Sequence, residues 1–273
     1  MSVALAAILL GLLEGVSEFL PISSTGHLIV GASLLNLPPA LRGSFEITIQ
    51  AGAVLALLLH YGRDLAGSLW AMRHDSQARQ FWAGIVVASL PAGLVGFLLR
   101  DWIKQTLFTP TVVALALLVG GVVLLLTDRR PRRQAAGTNA QLSLRQALLV
   151  GLVQTLALIP GVSRSAATIV GAMQVGLDRR SATRYSFWLA IPLLGSATLS
   201  EMVDVAGRVT TAELGILFLG CAVSAAVAWL AIAWLLQFVS RHGLAPFGWY
   251  RIGFGLLLLL VTQTGILTST SVA

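Results

Sequence analysis

The sequence predicts an all-α polytopic membrane protein, with six transmembrane helices and two re-entrant helical hairpins in an inverted-topology repeat. Three observations predict it. Hydrophobic residues make up 56% of the 273 and charged residues only 11%, against about 25% in soluble domains, and the mean hydropathy is +0.86. Lipid must therefore solvate most of the surface. Six apolar stretches reach or approach the minimum of about 17 residues for a spanning helix. Two more apolar regions, 3–37 and 142–177, are broken near their middles by Pro, Gly, Ser and charged residues. Their halves are too short to cross, which predicts hairpins that enter and leave by the same face.

In chain order, the first hairpin comes at once. No basic residue precedes Arg42, so the start lacks the charged n-region of a cleaved signal peptide and the first apolar stretch is expected in the mature fold. Spans follow at 45–61, 82–99 and 110–127, closing a first repeat of 1–127. Residues 128–141, with Arg129-Arg130-Pro131-Arg132-Arg133, form a solvated linker that sets topology and can touch anionic lipid. The second repeat, 142–273, opens with the second hairpin and continues with spans at 185–203, 214–239 and 247–267. The whole is one membrane domain. The single cysteine, Cys221, lies in the apolar run 214–236 and is expected to pack.

Arginine placement orients this chain. The formal charge is +7 and the pI about 11.0, which in a soluble protein would suggest nucleic acid. Here the basic residues sit in short segments between apolar stretches, which is the positive-inside pattern and argues against nucleic acid. Thirteen of the eighteen fall in four connections: Arg63, Arg73, Arg79, Arg129, Arg130, Arg132, Arg133, Arg145, Arg179, Arg180, Arg184, Arg241 and Arg251. All four connections share one side only if both broken regions are re-entrant, and that side is the cytoplasm. The opposite connections carry Arg42, Arg100, Lys104 and Arg208, diluted by Asp101, Glu201, Asp204 and Glu213. Both termini then lie outside the cytoplasm.

The halves also repeat. Gly11-Leu12-Leu13-Glu14 aligns with Gly151-Leu152-Val153-Gln154, Pro21 with Pro160, and Ser44-Phe45 with Ser186-Phe187, a period of about 140 residues. Three crossings separate the hairpins, so the second half is inverted and the broken helices are expected tip to tip near the midplane.

The first break reads Glu14-Gly15-Val16-Ser17-Glu18-Phe19-Leu20-Pro21-Ile22-Ser23-Ser24-Thr25-Gly26-His27. Glu14 and Glu18, at i and i+4, share a helix face near its carboxyl end, where the dipole disfavours negative charge. An apolar setting demands a divalent cation, a nearby arginine or a shared proton for such a pair. After Pro21 come three hydroxyls, a glycine and a histidine. Ser23 or Ser24 can cap the next half-helix, whose free amides suit phosphate, and His27 is spaced to activate Ser24 if the helix begins there.

The second break reads Pro160-Gly161-Val162-Ser163-Arg164-Ser165-Ala166-Ala167-Thr168. An arginine is expensive in apolar sequence, and its guanidinium fork suits phosphate oxygens. Ser163, Ser165 and Thr168 add donors. Arg164 can equally neutralise Glu14 or Glu18 in a resting enzyme. Together the tips hold the inventory for cleaving a phosphoanhydride at a membrane.

These two stretches resemble the paired signature motifs of the bacterial undecaprenyl-pyrophosphate phosphatases, also called bacitracin-resistance proteins. The resemblance covers essentially the whole chain, including Phe45-Glu46 to Gln50 and Ser186 to Pro192. It implies hydrolysis of C55 isoprenoid pyrophosphate to the monophosphate carrier lipid and phosphate, on the outer face of the bacterial cytoplasmic membrane, with Mg²⁺ or Ca²⁺. That activity recycles the carrier for cell-wall synthesis and confers bacitracin resistance. Membrane lipid and the polyprenyl pyrophosphate are the expected partners, and a homodimer is left open.

The resemblance further implies site roles. Ser24 is the candidate nucleophile, His27 its base or the acid for a leaving oxygen, and Arg164 the clamp on phosphate charge. Glu14 and Glu18 hold the cation or position the attacking group. Ser23, Thr25, Gly26, Ser163, Ser165 and Thr168 surround the substrate. Ser24, His27 and a metal-bound water stay open as the attacking group. Glu46 is a supporting candidate, and His60, His74 and His242 read as interfacial. Ala166 departs from the glycine usual in the family, which bears on backbone approach to phosphate.

The rival reading is a secondary transporter or lipid flippase, since inverted repeats with broken helices are a transporter architecture. A carrier has no need of Ser-Ser-Thr-Gly-His. An acid-phosphatase-like lipid phosphatase needs a Lys and Arg-Pro motif and a histidine after Ser-Arg. Lys104 is the only lysine, and no histidine follows Ser163-Arg164 before His242.

Overall fold

The computed structural model describes residues 2–35, 39–129, 142–205 and 210–263. Apolar sequence closes its backbone hydrogen bonds within helices, and eleven α-helices account for nearly all of the described residues. They are α1 (Val3–Ser17), α2 (Ser24–Leu35), α3 (Pro39–Ala71), α4 (Ser76–Leu98), α5 (Arg100–Leu107), α6 (Pro110–Asp128), α7 (Leu144–Thr155), α8 (Arg164–Gln174), α9 (Arg179–Val205), α10 (Thr211–His242) and α11 (Ala245–Gln263). Six of them, α3, α4, α6, α9, α10 and α11, are long and apolar enough to cross a membrane, and each contains most of one expected span. The chain is a multi-pass membrane protein. Its outward surface is apolar, with Leu59, Phe97 and Phe218 all more than two-thirds exposed, as a surface solvated by lipid requires.

Local signals set the ends. Thr109 caps α6 ahead of Pro110, Asp75 caps α4, and Ser143 and Gln146 form a capping box on α7. The expected linker 128–141 and the chain end beyond 263 lie mostly outside the described residues. α5 stands where only a connection is expected. It is a short amphipathic helix whose Arg100 and Lys104 reach Glu201 at 3.8 and 3.5 Å.

The two broken regions are built alike. α1 and α2 have 15 and 12 residues, and α7 and α8 have 12 and 11, with one 3-10 turn (Leu156–Leu158) between them. At 1.5 Å per residue none exceeds about 23 Å, short of the roughly 30 Å hydrocarbon core. Each is seated on a helix of the other half: α1 on α10 and α7 on α4. Small residues permit the approach, since a Cβ on Gly11 would stand 2.7 Å from the Gly220 carbonyl and one on Gly151 would run into the Ala88 carbonyl. Similarly α6 pairs with α11 through Gly121 and Gly248.

Two expectations are corrected. Ser23 and Ser163 are the only described non-glycine residues with positive φ, at 74° and 72°, and each immediately precedes a half-helix. The tips therefore match at a spacing of 140, the spacing of Gly11 and Gly151, so Pro21 corresponds to Gly161 rather than to Pro160. Arg251, counted above among the loop arginines of one face, is inside α11 and fully buried. An arginine near a span's end reads as a solvated anchor, yet here buried carbonyls take up its donors.

At the arginine-rich end, Asp128 joins three helices. Its carboxylate accepts from the amides of Leu244 and Ala245 at 3.0 and 3.2 Å and pairs with Arg179 at 2.6 Å. It thereby caps the start of α11 and ties α9 to the end of α6.

Candidate active site

The two tips meet directly. The Ser165 hydroxyl donates to the Leu20 carbonyl at 2.9 Å, and the Arg164 guanidinium stands over the Phe19 ring, 5.8 Å from its centroid. Between them Glu18 takes up both neighbours. Its Oε2 accepts from the Ser24 hydroxyl at 2.6 Å, and its Oε1 pairs with Arg164 Nη2 at 3.2 Å. Arg164 Nη1 donates to the Ser186 carbonyl at 3.1 Å. A carboxylate, a hydroxyl and a fixed cation from two distant segments are thus one connected group, with the Glu18 and Arg164 side chains only 7% and 9% exposed.

Helix starts position this chemistry. Ser24 is the first residue of α2 and Arg164 the first of α8, so each side chain projects beside its own amino-terminal amides, which attract anions. At α8 the Ser163 Oγ caps, accepting from the Ala166 amide at 3.2 Å. At α2 the expected cap is not made. Ser24 Oγ turns back to Glu18, and the buried Ser23 Oγ has no partner. Ser24, Thr25 and Ser163 are partly exposed, whereas Ser23, Gly26, Ser165 and Thr168 are buried and the Arg164 side chain nearly so. The side of the site open to the surface is therefore that of Ser24, Thr25 and Ser163.

The geometry separates residues that share a motif. His27 does not meet the Ser24 hydroxyl. Its Nδ1 lies 2.7 Å from the Ser23 carbonyl and its Nε2 2.6 Å from the Tyr250 hydroxyl, and its ring stacks on Phe254. Thr168 Oγ1 lies within hydrogen-bond reach of Ser186 Oγ and the Arg164 carbonyl. With Ser165 on Leu20, it braces the tip from behind the opening. Gly26 faces α6, where a Cβ would meet Val113 at 3.3 Å. Tyr250, Phe254 and Ser186 are site residues that the motifs left out. Ser186 stood in the repeated Ser-Phe pair, and Tyr250 in an aromatic-arginine interruption of the last apolar run.

Two neighbouring carboxylates are the groups here that could hold a cation. Glu14 is buried, its Oε2 has no hydrogen-bond partner, and Glu18 and Glu46 are its acidic neighbours. No cage of three or more His, Cys, Asp or Glu side chains exists among the described residues. Glu14 and Glu18 could supply the one or two carboxylates that Mg²⁺ takes beside waters and substrate phosphate. Arg164 Nε, also buried and unpartnered, leaves a further donor for phosphate.

The family model described as bacitracin resistance protein BacA matches residues 7–257. A protein named undecaprenyl-diphosphatase from Acidovorax ebreus is 44% identical over 266 residues, 97% of each chain. Proteins of the same name from Deinococcus deserti and Cupriavidus necator are 42% and 41% identical, each over 98% of both chains.

Proposed function

The chain belongs to the bacitracin resistance protein family and is a membrane enzyme that hydrolyses undecaprenyl diphosphate, and from that premise we propose how its residues do so. Ser24 is the nucleophile and Glu18 its base. The observation that carries this is the 2.6 Å bond from the Ser24 hydroxyl to Glu18 Oε2, with Arg164 on the other oxygen. As Ser24 Oγ bonds to the terminal phosphorus, its proton passes to Glu18 and the phosphoanhydride bond breaks, releasing undecaprenyl phosphate. Water then attacks the phosphoserine, Glu18 relays the proton back to Ser24, and inorganic phosphate leaves. Arg164 and the free amides opening α2 and α8 hold the charge that develops on the phosphoryl oxygens.

His27 acts as a support rather than a base. Bonded on both nitrogens, it fixes the Ser23 carbonyl and hence the backbone that aims Ser24. Glu14 and Glu18 would hold a divalent cation with the diphosphate, which supplies charge neutralisation at the leaving and attacked phosphates. The broken regions are re-entrant, the halves form an inverted repeat, and the site opens to the exterior of the cytoplasmic membrane with both termini on that side. Supporting this is the arginine bias of the opposite face.

Phosphate release from C55 diphosphate by detergent-purified protein, with and without chelator, tests the chemistry. Ser24→Ala is expected to abolish release, and intact hydrolysis in that variant would overturn the assignment. Cysteines placed at Thr138 and Ser271 test the topology. An impermeant reagent outside the cell should label only the second.

A further inference from the structure

Arg251 sits in the fold as an unusual object, a fully buried guanidinium whose every hydrogen bond ends on a backbone carbonyl. Nη1 donates to Pro21 at 3.3 Å and Val162 at 2.9 Å, Nη2 to Gly161 at 2.9 Å and Ala116 at 3.1 Å, and Nε to Leu117 at 3.4 Å. Arginine has five N–H donors, so all are spent. Two of these carbonyls belong to α6, one to the first tip and two to the second.

We propose that Arg251 is the positioning residue that holds the two broken tips in register, so that Ser24 and Arg164 address the same phosphoryl group. The levers are short. Pro21 lies three residues before Ser24, and Val162 two before Arg164. The backbone is shaped for the contact, since Gly161 takes φ +96° and a Cβ there would stand 2.5 Å from the Val113 carbonyl. Space is reserved as well. A Cβ on Gly120 of α6 would lie 2.7 Å from Arg251 Cζ and run into Nη2. The preceding residue, Tyr250, holds His27, so one turn of α11 grips the first tip through two side chains and the second tip through one. A lysine brings three donors on a point charge and cannot span five carbonyls in one plane.

This inference rests on the hydrolase reading above. The test measures kcat and KM on C55 diphosphate for wild type, Arg251→Met, Arg251→Lys, Gly120→Ala, Arg164→Met and the Arg251→Met/Arg164→Met pair. Arg251→Met should lower kcat about 100-fold, the scale of an ångström's misplacement, with KM within about threefold. Arg251→Lys should recover no more than about tenfold, and Gly120→Ala, which keeps the charge, should lose about tenfold. Since Arg251 acts in part through Arg164, the double variant should lose clearly less than the product of the two single losses. Losses that multiply, or a Gly120→Ala enzyme within about twofold of wild type, overturn the proposal. Should Arg251→Met not fold, Gly120→Ala replaces it in the cycle with Arg164→Met. A folded wild type that releases no phosphate refutes the hydrolase reading itself, whereas an active wild type with active variants refutes only the positioning role.

Discussion

Replacing Glu18 by glutamine removes the proton acceptor of Ser24 and, with it, one carboxylate of the proposed cation site, while Arg164 keeps a partner. The side chain keeps its length, so its carbonyl oxygen can still receive Arg164 Nη2, now at 3.2 Å from Glu18 Oε1. What disappears is the charged acceptor 2.6 Å from Ser24 Oγ, because an amide NH2 presents a donor to a hydroxyl that must itself donate. Substrate contacts from the helix amides and Arg164 persist, so KM should stay within about threefold. Removing a general base costs about 10²–10⁴ in rate, or roughly 3–5 kcal/mol of barrier, and kcat should fall by that much. Glu18→Asp provides the paired control. It retains the charge but withdraws it by one methylene, opening the 2.6 Å contact, and should lie between wild type and Glu18→Gln. Steady-state phosphate release across substrate concentrations separates the two constants. A Glu18→Gln enzyme with kcat within threefold of wild type would falsify the assignment of Glu18 as base.

Tyr250→Phe removes the hydroxyl on His27 Nε2 but keeps the ring stack. One hydrogen bond is worth about 0.5–1.5 kcal/mol, so kcat should drop by less than about tenfold, and a loss as large as that of Ser24→Ala in the same assay would make His27 a proton carrier. Asp128→Ala strips the cap of α11 and the pair with Arg179. It should cost about 2–4 kcal/mol, read as a lower thermal midpoint in detergent, with kcat of the folded fraction unchanged. A change in kcat at equal folded fraction would show that this end of the bundle reaches the site. Saturating Mg²⁺ chelation should reduce wild-type turnover while a Glu14→Gln variant, already without the buried unpartnered Oε2, responds less. Equal sensitivity in both would remove Glu14 from the cation site.

Much of this fold is legible in the sequence because lipid leaves a helix few alternatives. A run of apolar residues long enough to cross must close its hydrogen bonds internally, and each expected span lies mostly within one of α3, α4, α6, α9, α10 and α11. The ends are less legible. α3 continues to Ala71, ten residues past the apolar run, since a polar helix at the interface costs nothing to extend. α5 is too short and too polar to register as anything but a connection. Within the site, Glu18, Ser24 and Arg164 are legible as charges and hydroxyls in the wrong solvent. Their partners are not. The three-residue spacing of Ser24 and His27 suggested a contact, but Ser24 opens its helix and turns back toward Glu18, while His27, one turn on, faces α11. Backbone carbonyls have no sequence signature, so Arg251 looked like any arginine near a membrane face.

The matching of the tips explains why two similarly built tips form a single site. Ser23 and Ser163 share the same strained backbone, which makes every position 140 residues apart comparable across the tips. Glu14 then faces Gln154 and Glu18 faces Leu158, so both carboxylates belong to the first tip alone. Ser24 faces Arg164, so the same helix-start position offers a nucleophile in one half and a cation in the other. Pro21 faces Gly161, and the carbonyls of both end on the one guanidinium of Arg251. α6 itself carries no charged side chain before Asp128. Neither half holds a complete set of parts, and a second, mirrored site would need a carboxylate at Leu158 and a cation at Ser24. Introducing Leu158→Glu should therefore place an unpaired, partly buried charge at the second tip and destabilise the protein rather than create activity.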